Sequence, residues 1–208
     1  RRVHEHARHK AESAPGPRGA LDLLREPLMR RLLMVNWLLS SCWDVHTFVV
    51  PILGHERDFS ASVIGTILGA FAVAAAVIRM CLPWIGRHWH EHQIVTLAMV
   101  STGVLFGLYP FMPSPWAMGV CSVLLGLVLG SVQPMIMSTL HQITPAHRQG
   151  EALGLRLMSI NASSVLMPML FGAAGAIAGV APVFWVVGTA VGLGANSAMK
   201  LRPHGHAS

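Results

Sequence analysis

Six long apolar segments dominate this sequence, and they constrain the fold more than any other feature. They are Leu32–Leu53, Val63–Leu82, Ile94–Met112, Trp116–Leu140, Leu153–Ile177 and Pro182–Met199. Each has roughly 18 to 25 residues, the length that an α-helix needs to cross ~30 Å of hydrocarbon. Only three charged residues, Asp44, Arg79 and Arg156, lie within these segments. The pattern predicts an all-α integral membrane protein with six transmembrane helices.

Composition excludes the main soluble alternatives. Hydrophobic residues make up 53% of the chain and charged residues 12%, about half the charge of an ordinary soluble domain. Too few polar residues remain to coat six such helices in water. The net charge of +6 does not predict a nucleic-acid partner, because the Lys and Arg residues are concentrated in residues 1–31 and beside the apolar segments. That distribution is typical of membrane topology signals.

The distribution of basic residues also predicts the domain organisation and the orientation. We interpret residues 1–31 as a basic cytoplasmic linker with an amphipathic lead-in, residues 32–202 as the six-helix bundle, and residues 203–208 as a cytoplasmic tail. The predicted outer loops contain one basic residue, Arg57, which favours cytoplasmic termini and a multi-pass protein of the plasma (inner) membrane. Because the chain begins with Arg1 rather than Met, we expect it to be a piece of a longer protein.

Asp44 is the most informative polar residue. It is expected about 18 Å into the first helix, where a carboxylate costs roughly 2.5–3.5 kcal/mol unless it meets water, a partner or a proton. Trp37 and Ser40 share its helix face, which indicates the wall of an aqueous cavity. Asp44 is therefore a candidate substrate or proton site, and a structural hydrogen bond to a neighbouring helix is the alternative. His46 should point to the opposite side of the helix.

Further polar residues are predicted at membrane depth. Gln133 and Asn161 could bind substrate or bridge helices. Arg156 lies near a predicted cytoplasmic helix end, where its side chain could reach the interface or act in a gate. Pairs of glycines four residues apart predict close helix packing. These pairs are Gly65/Gly69, Gly103/Gly107, Gly126/Gly130, Gly150/Gly154, Gly175/Gly179 and Gly188/Gly192.

Other chemistries have weaker support in the sequence. The segment His88-Trp89-His90-Glu91-His92 and the pair His4 and His6 could hold a soft divalent metal only in an extended conformation. We therefore expect no metal site and no cofactor, and no enzyme signature is present. A six-helix metal-cation exporter and a non-transporting membrane scaffold stay open as alternatives. The three cysteines lie in apolar segments and predict no disulfide framework.

Three stretches resemble the C-terminal half of a major facilitator superfamily transporter. Gly65–Arg87 (GTILGAFAVAAAVIRMCLPWIGR) resembles the eighth helix of that family and the loop that follows it. Gly126–Pro134 (GLVLGSVQP) resembles the tenth helix, and Gln149–Pro168 (QGEALGLRLMSINASSVLMP) resembles the eleventh. The residues His88-Trp89-His90 depart from the charged residues usual in the family's loop.

The resemblance implies a fold and a mechanism. The fold would be one bundle built as a 3+3 inverted repeat, and the activity would be secondary transport of a small solute by alternating access. We expect proton coupling, with efflux as one open direction, and three partners: the lipid bilayer, a small-molecule substrate and a second six-helix bundle.

By position in the family, Trp37, Asp44 and Gln133 would line the cavity. Arg79, Asn161 and Arg156 would lie near the gates. Arg79 or Arg87 would pair with Glu151 when the cytoplasmic gate is closed.

Overall fold

The computed structural model describes residues 20–85, 89–199 and 201, and all regular secondary structure in that part of the chain is helical. The long helices, numbered in chain order, are α1 (Pro27–Glu56), α2 (Ala61–Ile85), α3 (Glu91–Leu108), α4 (Pro115–Ile143), α5 (Gln149–Ala178) and α6 (Val180–Met199). Short 3₁₀ segments cover Ala20–Arg25, Tyr109–Phe111 and Ala146–Arg148. The predicted all-α fold class is confirmed.

Local sequence explains where several helices begin and turn. Pro27 and Pro115 stand in the first turn of α1 and α4, where the N–H that proline lacks would have no partner in the helix. The Ser114 hydroxyl also accepts a hydrogen bond from the backbone N–H of Ala117 at 3.2 Å. Gly179 alone separates α5 from α6, and its φ of +83° is a conformation that costs glycine little. The connections are short, but consecutive helices are not the main packing partners: the most extensive contacts join α2 to α4 and α3 to α6.

Five of the long helices, α2 to α6, are long and apolar enough to cross a membrane. The chain is therefore a multi-pass membrane protein. α1 is not among the five, although it has 30 residues. Its apolar residues are interrupted by Asn36, Ser40, Ser41, Asp44 and His46. The count of six membrane spans stays a prediction.

Polar contacts identify the two ends of the bundle. At one end, which we call distal, Arg57 after α1 donates to the carbonyl oxygens of Pro110, at 2.5 Å, and Met112. At the other end, which we call proximal, Gln142 near the end of α4 donates to Glu91 at the start of α3 at 2.8 Å. α1, α3 and α5 begin at the proximal end, the predicted cytoplasmic side. Arg57 therefore lies on the predicted outer side. Its positive charge is favourable there, since it binds carbonyl groups just beyond the C-terminus of α3.

Two contacts between helices are closed by glycine, and we call them the glycine seams. In the seam between α2 and α4, a methyl group added at Gly130 would lie 2.7 Å from the Cα atom of Ala75. In the seam between α3 and α6, a methyl group added at Gly103 would lie 3.0 Å from the carbonyl oxygen of Gly188. At these positions the predicted close helix packing is confirmed.

The remaining glycine pairs do not pack within this bundle. A Cβ atom added at Gly65, Gly69, Gly150, Gly154 or Gly175 would have no atom within 4 Å. The prediction of tight packing there is wrong for contacts inside the bundle. The physical reason is that these glycines lie on the outer faces of α2 and α5, where no described helix covers them.

The coverage of the helices differs widely. α1 contacts α2, α4, α5 and α6, and its Val35, Cys42 and Val45 side chains are fully buried. In contrast, only 22% of the apolar window of α2 and 17% of that of α5 are buried, against 56% for α4. Met158 and Met169 are among the large apolar side chains that α5 exposes. α2 and α5 therefore present apolar surface to lipid or to another protein.

Candidate functional site

Asp44 lies just past the middle of α1 and faces α5. The Ser163 hydroxyl donates to Asp44 Oδ2 at 2.8 Å, and the Ser164 hydroxyl donates to Oδ1 at 3.3 Å. The carboxylate is half-buried, and it forms no ion pair with any described residue. Asp44 is thus a carboxylate that two neutral hydroxyl groups stabilise. The structure contains the interhelical hydrogen bond that the sequence left as an alternative to a functional role.

The Asp44 contact continues toward the proximal end through serine hydroxyls. Ser163 is fully buried, and its hydroxyl oxygen lies 3.1 Å from that of Ser41 on α1. The Ser41 hydroxyl donates to the backbone carbonyl of Trp37 at 2.8 Å. Trp37 lines an apolar cavity of about 430 Å³ between α1, α5 and α6. Asp44 and Trp37 therefore lie at the two ends of a short row of serine contacts, and the cavity beside Trp37 is lined mainly by apolar side chains.

Ser40 and Asn36 form a second polar pair on α1. Ser40 is 5% exposed and its hydroxyl has no hydrogen-bond partner among the described residues. Asn36, one helical turn earlier, is 1% exposed, and neither its Oδ1 nor its Nδ2 is bonded within the described part of the chain. Sequence reasoning selected Ser40 and missed Asn36. The available signal was the spacing of Asn36, Ser40 and Asp44, each four residues apart.

Gln133 and Arg156 bridge α4 and α5. The Arg156 Nη2 group donates to Gln133 Oε1, which brings together a residue predicted for the solute pathway and a residue predicted for the gate. The Arg156 Nε atom is buried and has no hydrogen-bond partner among the described residues. The predicted position of Arg156 near the proximal end is consistent with its place in the first two turns of α5.

The predicted gate residues Arg79 and Glu151 do not meet in this structure. The Arg79 Nε group donates to the backbone carbonyl of Gly130 at 3.3 Å, and its guanidinium lies 5.7 Å from the ring centroid of Trp43. Glu151 instead pairs with Arg148 at 2.7 Å. A pair three residues apart on one chain forms with less loss of entropy than a pair between helices.

The other predicted residues are dispersed. Arg87 lies outside the described residues. Asn161 is exposed on α5 and does not join the polar contacts around Asp44. The place of Asn161 near a gate stays a prediction.

His46 points away from Asp44, as expected from the helix geometry. Its Nε2 atom lies 3.0 Å from the Ser122 hydroxyl, which lies 2.8 Å from the Tyr109 hydroxyl. The imidazole ring stacks on Phe71 at a centroid distance of 4.0 Å. All three polar side chains are fully buried. The arrangement is a closed structural network that joins α1 to α4.

Metal binding has no supporting geometry in the described part of the chain. No group of three His, Cys, Asp or Glu side chains there could hold a metal ion. The ring centroids of His90 and His92 are 5.7 Å apart. The other histidines of that alternative, His4, His6 and His88, lie outside the described residues.

Comparison with known proteins gives two findings. The family model of the Major Facilitator Superfamily matches residues 4–207. The chain is also similar to a protein of Lactococcus lactis subsp. lactis (strain IL1403), the multi-drug resistance efflux pump PmrA homolog, with 27% identity over 106 residues. That match covers 51% of this chain and 26% of the relative, so the chain matches about a quarter of the relative's length.

Proposed function

Because the chain belongs to the Major Facilitator Superfamily, a family of membrane transporters, we propose that it forms one six-helix bundle of a proton-coupled secondary transporter. The solute is small, and alternating access exposes its site to each side of the membrane in turn. The observation that carries the proposal is the half-buried Asp44 carboxylate, which, among the described residues, the Ser163 and Ser164 hydroxyls stabilise.

The contacts of Asp44 suit a group that gains and loses a proton. A carboxylate in an apolar surrounding is costly, and a proton removes its charge. A serine hydroxyl can both donate and accept a hydrogen bond. Ser163 can therefore donate to the ionised carboxylate and accept from the protonated one. Asp44 can change protonation without leaving a buried polar atom unbonded.

We propose that a second six-helix bundle covers the outer faces of α2 and α5. These helices have the least buried apolar windows among α2 to α6. Their uncovered glycines, Gly69 and Gly150 among them, would allow close approach of another helix. The second bundle could belong to the same polypeptide or to a second copy. Rocking of the two bundles would open the solute pathway alternately.

The direction we propose is export. The support is the similarity to the Lactococcus lactis protein, a multi-drug resistance efflux pump PmrA homolog. In this reading Trp37, Ser40, Asp44 and Gln133 border the pathway, and Arg156 lies at its proximal end. Arg79, Arg87, Asn161 and Glu151 stay predicted gate residues whose partners change with conformation.

Transport by proteoliposomes tests the proposal. The full chain is reconstituted, and uphill movement of ethidium and of carboxyfluorescein is followed under an imposed pH gradient. We expect gradient-driven movement of a dye, its loss in Asp44→Asn, and partial retention in Asp44→Glu, which keeps the titratable group. Ser62→Ala, an exposed change on α2, is the matched control. Uphill transport that persists in Asp44→Asn would remove the proton role of Asp44.

A further inference from the structure

A second polar cluster lies in the proximal half of the bundle, and no feature of the proposed proton site accounts for it. Gln133 on α4 and Arg156 on α5 form its centre, and helix register places Asn36 of α1 beside them. Gln133 and Arg156 are hydrogen-bonded to each other. Asn36 is 1% exposed with both polar atoms unbonded, and Arg156 Nε is also buried and unbonded within the described residues.

Helix register places Asn36 and Arg156 at one depth. α1 and α5 run in the same direction and are joined where Ser163 donates to Asp44. Asn36 precedes Asp44 by about 12 Å of helix, and Arg156 precedes Ser163 by about 10 Å, at ~1.5 Å per residue. Relative to the contact between Ser163 and Asp44, the Cα atoms of Asn36 and Arg156 therefore differ in depth along the bundle by about 2 Å.

The angular positions of Asn36 on α1 and Arg156 on α5 also place the two side chains on the inner side of the bundle. Around α1, Asn36 lies about 80° from Asp44, on the side of Trp43. Trp43 packs edge-on against Phe71 of α2 at a centroid distance of 4.7 Å. This side of α1 therefore turns from α5 toward α2, which packs closely on α4, the helix that carries Gln133. On α5, Arg156 shares the face of Ser163, about 20° away, which is the face toward α1.

The charge of the cluster is not balanced by a nearby acid. Arg156 forms no ion pair with the described acidic residues. The cluster thus combines a positive charge with two spare donors, the Arg156 Nε–H and the Asn36 amide. A planar guanidinium beside an amide donor matches an oxyanion such as a carboxylate, which accepts several charge-assisted hydrogen bonds.

We propose that Arg156, Gln133 and Asn36 bind the carboxylate group of the transported solute. This inference rests on the proposed transport function and names its substrate class, solutes with a carboxylate. Arg156 supplies the charge, Gln133 orients the guanidinium, and Asn36 donates the additional hydrogen bond. The Asp44 proton site lies about 10–12 Å further toward the distal end.

Equilibrium binding tests the site without a gradient. The full chain in lipid nanodiscs is titrated with benzoate and with benzamide, its neutral counterpart, and heat or tryptophan fluorescence is measured. We expect benzoate to bind about tenfold tighter than benzamide. Arg156→Gln should abolish that preference, Arg156→Lys should keep part of it, and Arg25→Gln, at an exposed arginine, should leave it unchanged. Equal affinity for the two probes, or a preference that survives Arg156→Gln, overturns the site.

Asn36→Val separates a binding role from a structural one. Removing an unbonded buried amide should raise the melting temperature, because its desolvation no longer opposes folding. The same variant should weaken benzoate binding about threefold to tenfold. A lower melting temperature with unchanged benzoate affinity would show that the amide is structural and would overturn its assignment.

The two proposals fail in different ways. Asp44→Asn should lose uphill transport and keep the preference for benzoate over benzamide. If the unmodified chain transports a dye but binds benzoate and benzamide equally, the carboxylate site alone is overturned. A preference for benzoate without gradient-driven transport overturns the proposed function alone.

Discussion

The glycine seams and the contact between α1 and α5 are built from opposite chemistry. In the seams, helix backbones touch, and a methyl group at Gly130 would collide with the backbone of Ala75. Between α1 and α5, polar side chains meet: the Ser163 hydroxyl bonds the Asp44 carboxylate and lies close to the Ser41 hydroxyl. The glycine seams allow only one close arrangement of the two helices. The contact between α1 and α5 consists of polar groups that can exchange hydrogen-bond partners.

This difference shows how a bundle in lipid can be rigid in one place and adaptable in another. Lipid provides no hydrophobic drive for helices to associate, so the seams depend on close van der Waals packing. Such packing is lost when the helices separate. Hydroxyl and carboxylate groups keep their interactions when a water or a solute replaces a partner. We therefore infer that the seams hold α2 with α4 and α3 with α6, while changes during transport concentrate around α1 and α5.

The largest expected effect comes from breaking a seam. Gly130→Leu introduces a side chain where even a methyl group would lie 2.7 Å from Ala75 Cα. Overpacking of this kind costs about 3 kcal/mol or more when backbone must move, so we expect loss of monodisperse protein on size-exclusion chromatography in detergent. Gly69→Leu, on an outer face with no atom within 4 Å, is the control. A normal elution profile for Gly130→Leu would contradict the close seam.

A smaller effect is expected at the buried network of His46. Ser122→Ala leaves the His46 imidazole and the Tyr109 hydroxyl, both fully buried, without their shared partner. Each unsatisfied buried group costs about 1–3 kcal/mol, so the melting temperature should fall by several degrees. Ser62→Ala should change stability by less than about 0.5 kcal/mol. If Ser122→Ala is as stable as the control, the network does not hold α1 to α4.

The smallest effect on stability is expected on the outer face of α5. Gly150→Leu meets no atom of the bundle, so its melting temperature should match that of the unmodified chain within about 0.5 kcal/mol. The dye transport assay should nevertheless slow several-fold, because the added side chain would obstruct the proposed second bundle. Unchanged transport would place lipid rather than protein against this face.

The sequence predicted the helices well because length and hydropathy act locally. The apolar segment Leu153–Ile177 lies within α5, and helix geometry correctly separated His46 from Asp44. Contacts between helices were harder to predict. In this structure Glu151 pairs with Arg148, three residues away, and its pairing with Arg79 or Arg87 in a closed gate stays a prediction. Asn36 was overlooked although it is spaced four residues from Ser40, because its burial depends on packing by other helices.

The amino-acid sequence by itself determined the all-α membrane fold, the short connections between helices and the position of a carboxylate in the middle of α1. Each follows from the chemistry of residues close together in the chain. Only the tertiary structure decided that α5 supplies the hydroxyls for Asp44, that Arg156 bridges to Gln133, and which glycines form seams. A membrane helix is apolar on nearly all sides, so its local sequence does not show which side meets which neighbour. Packing among the helices decides those contacts.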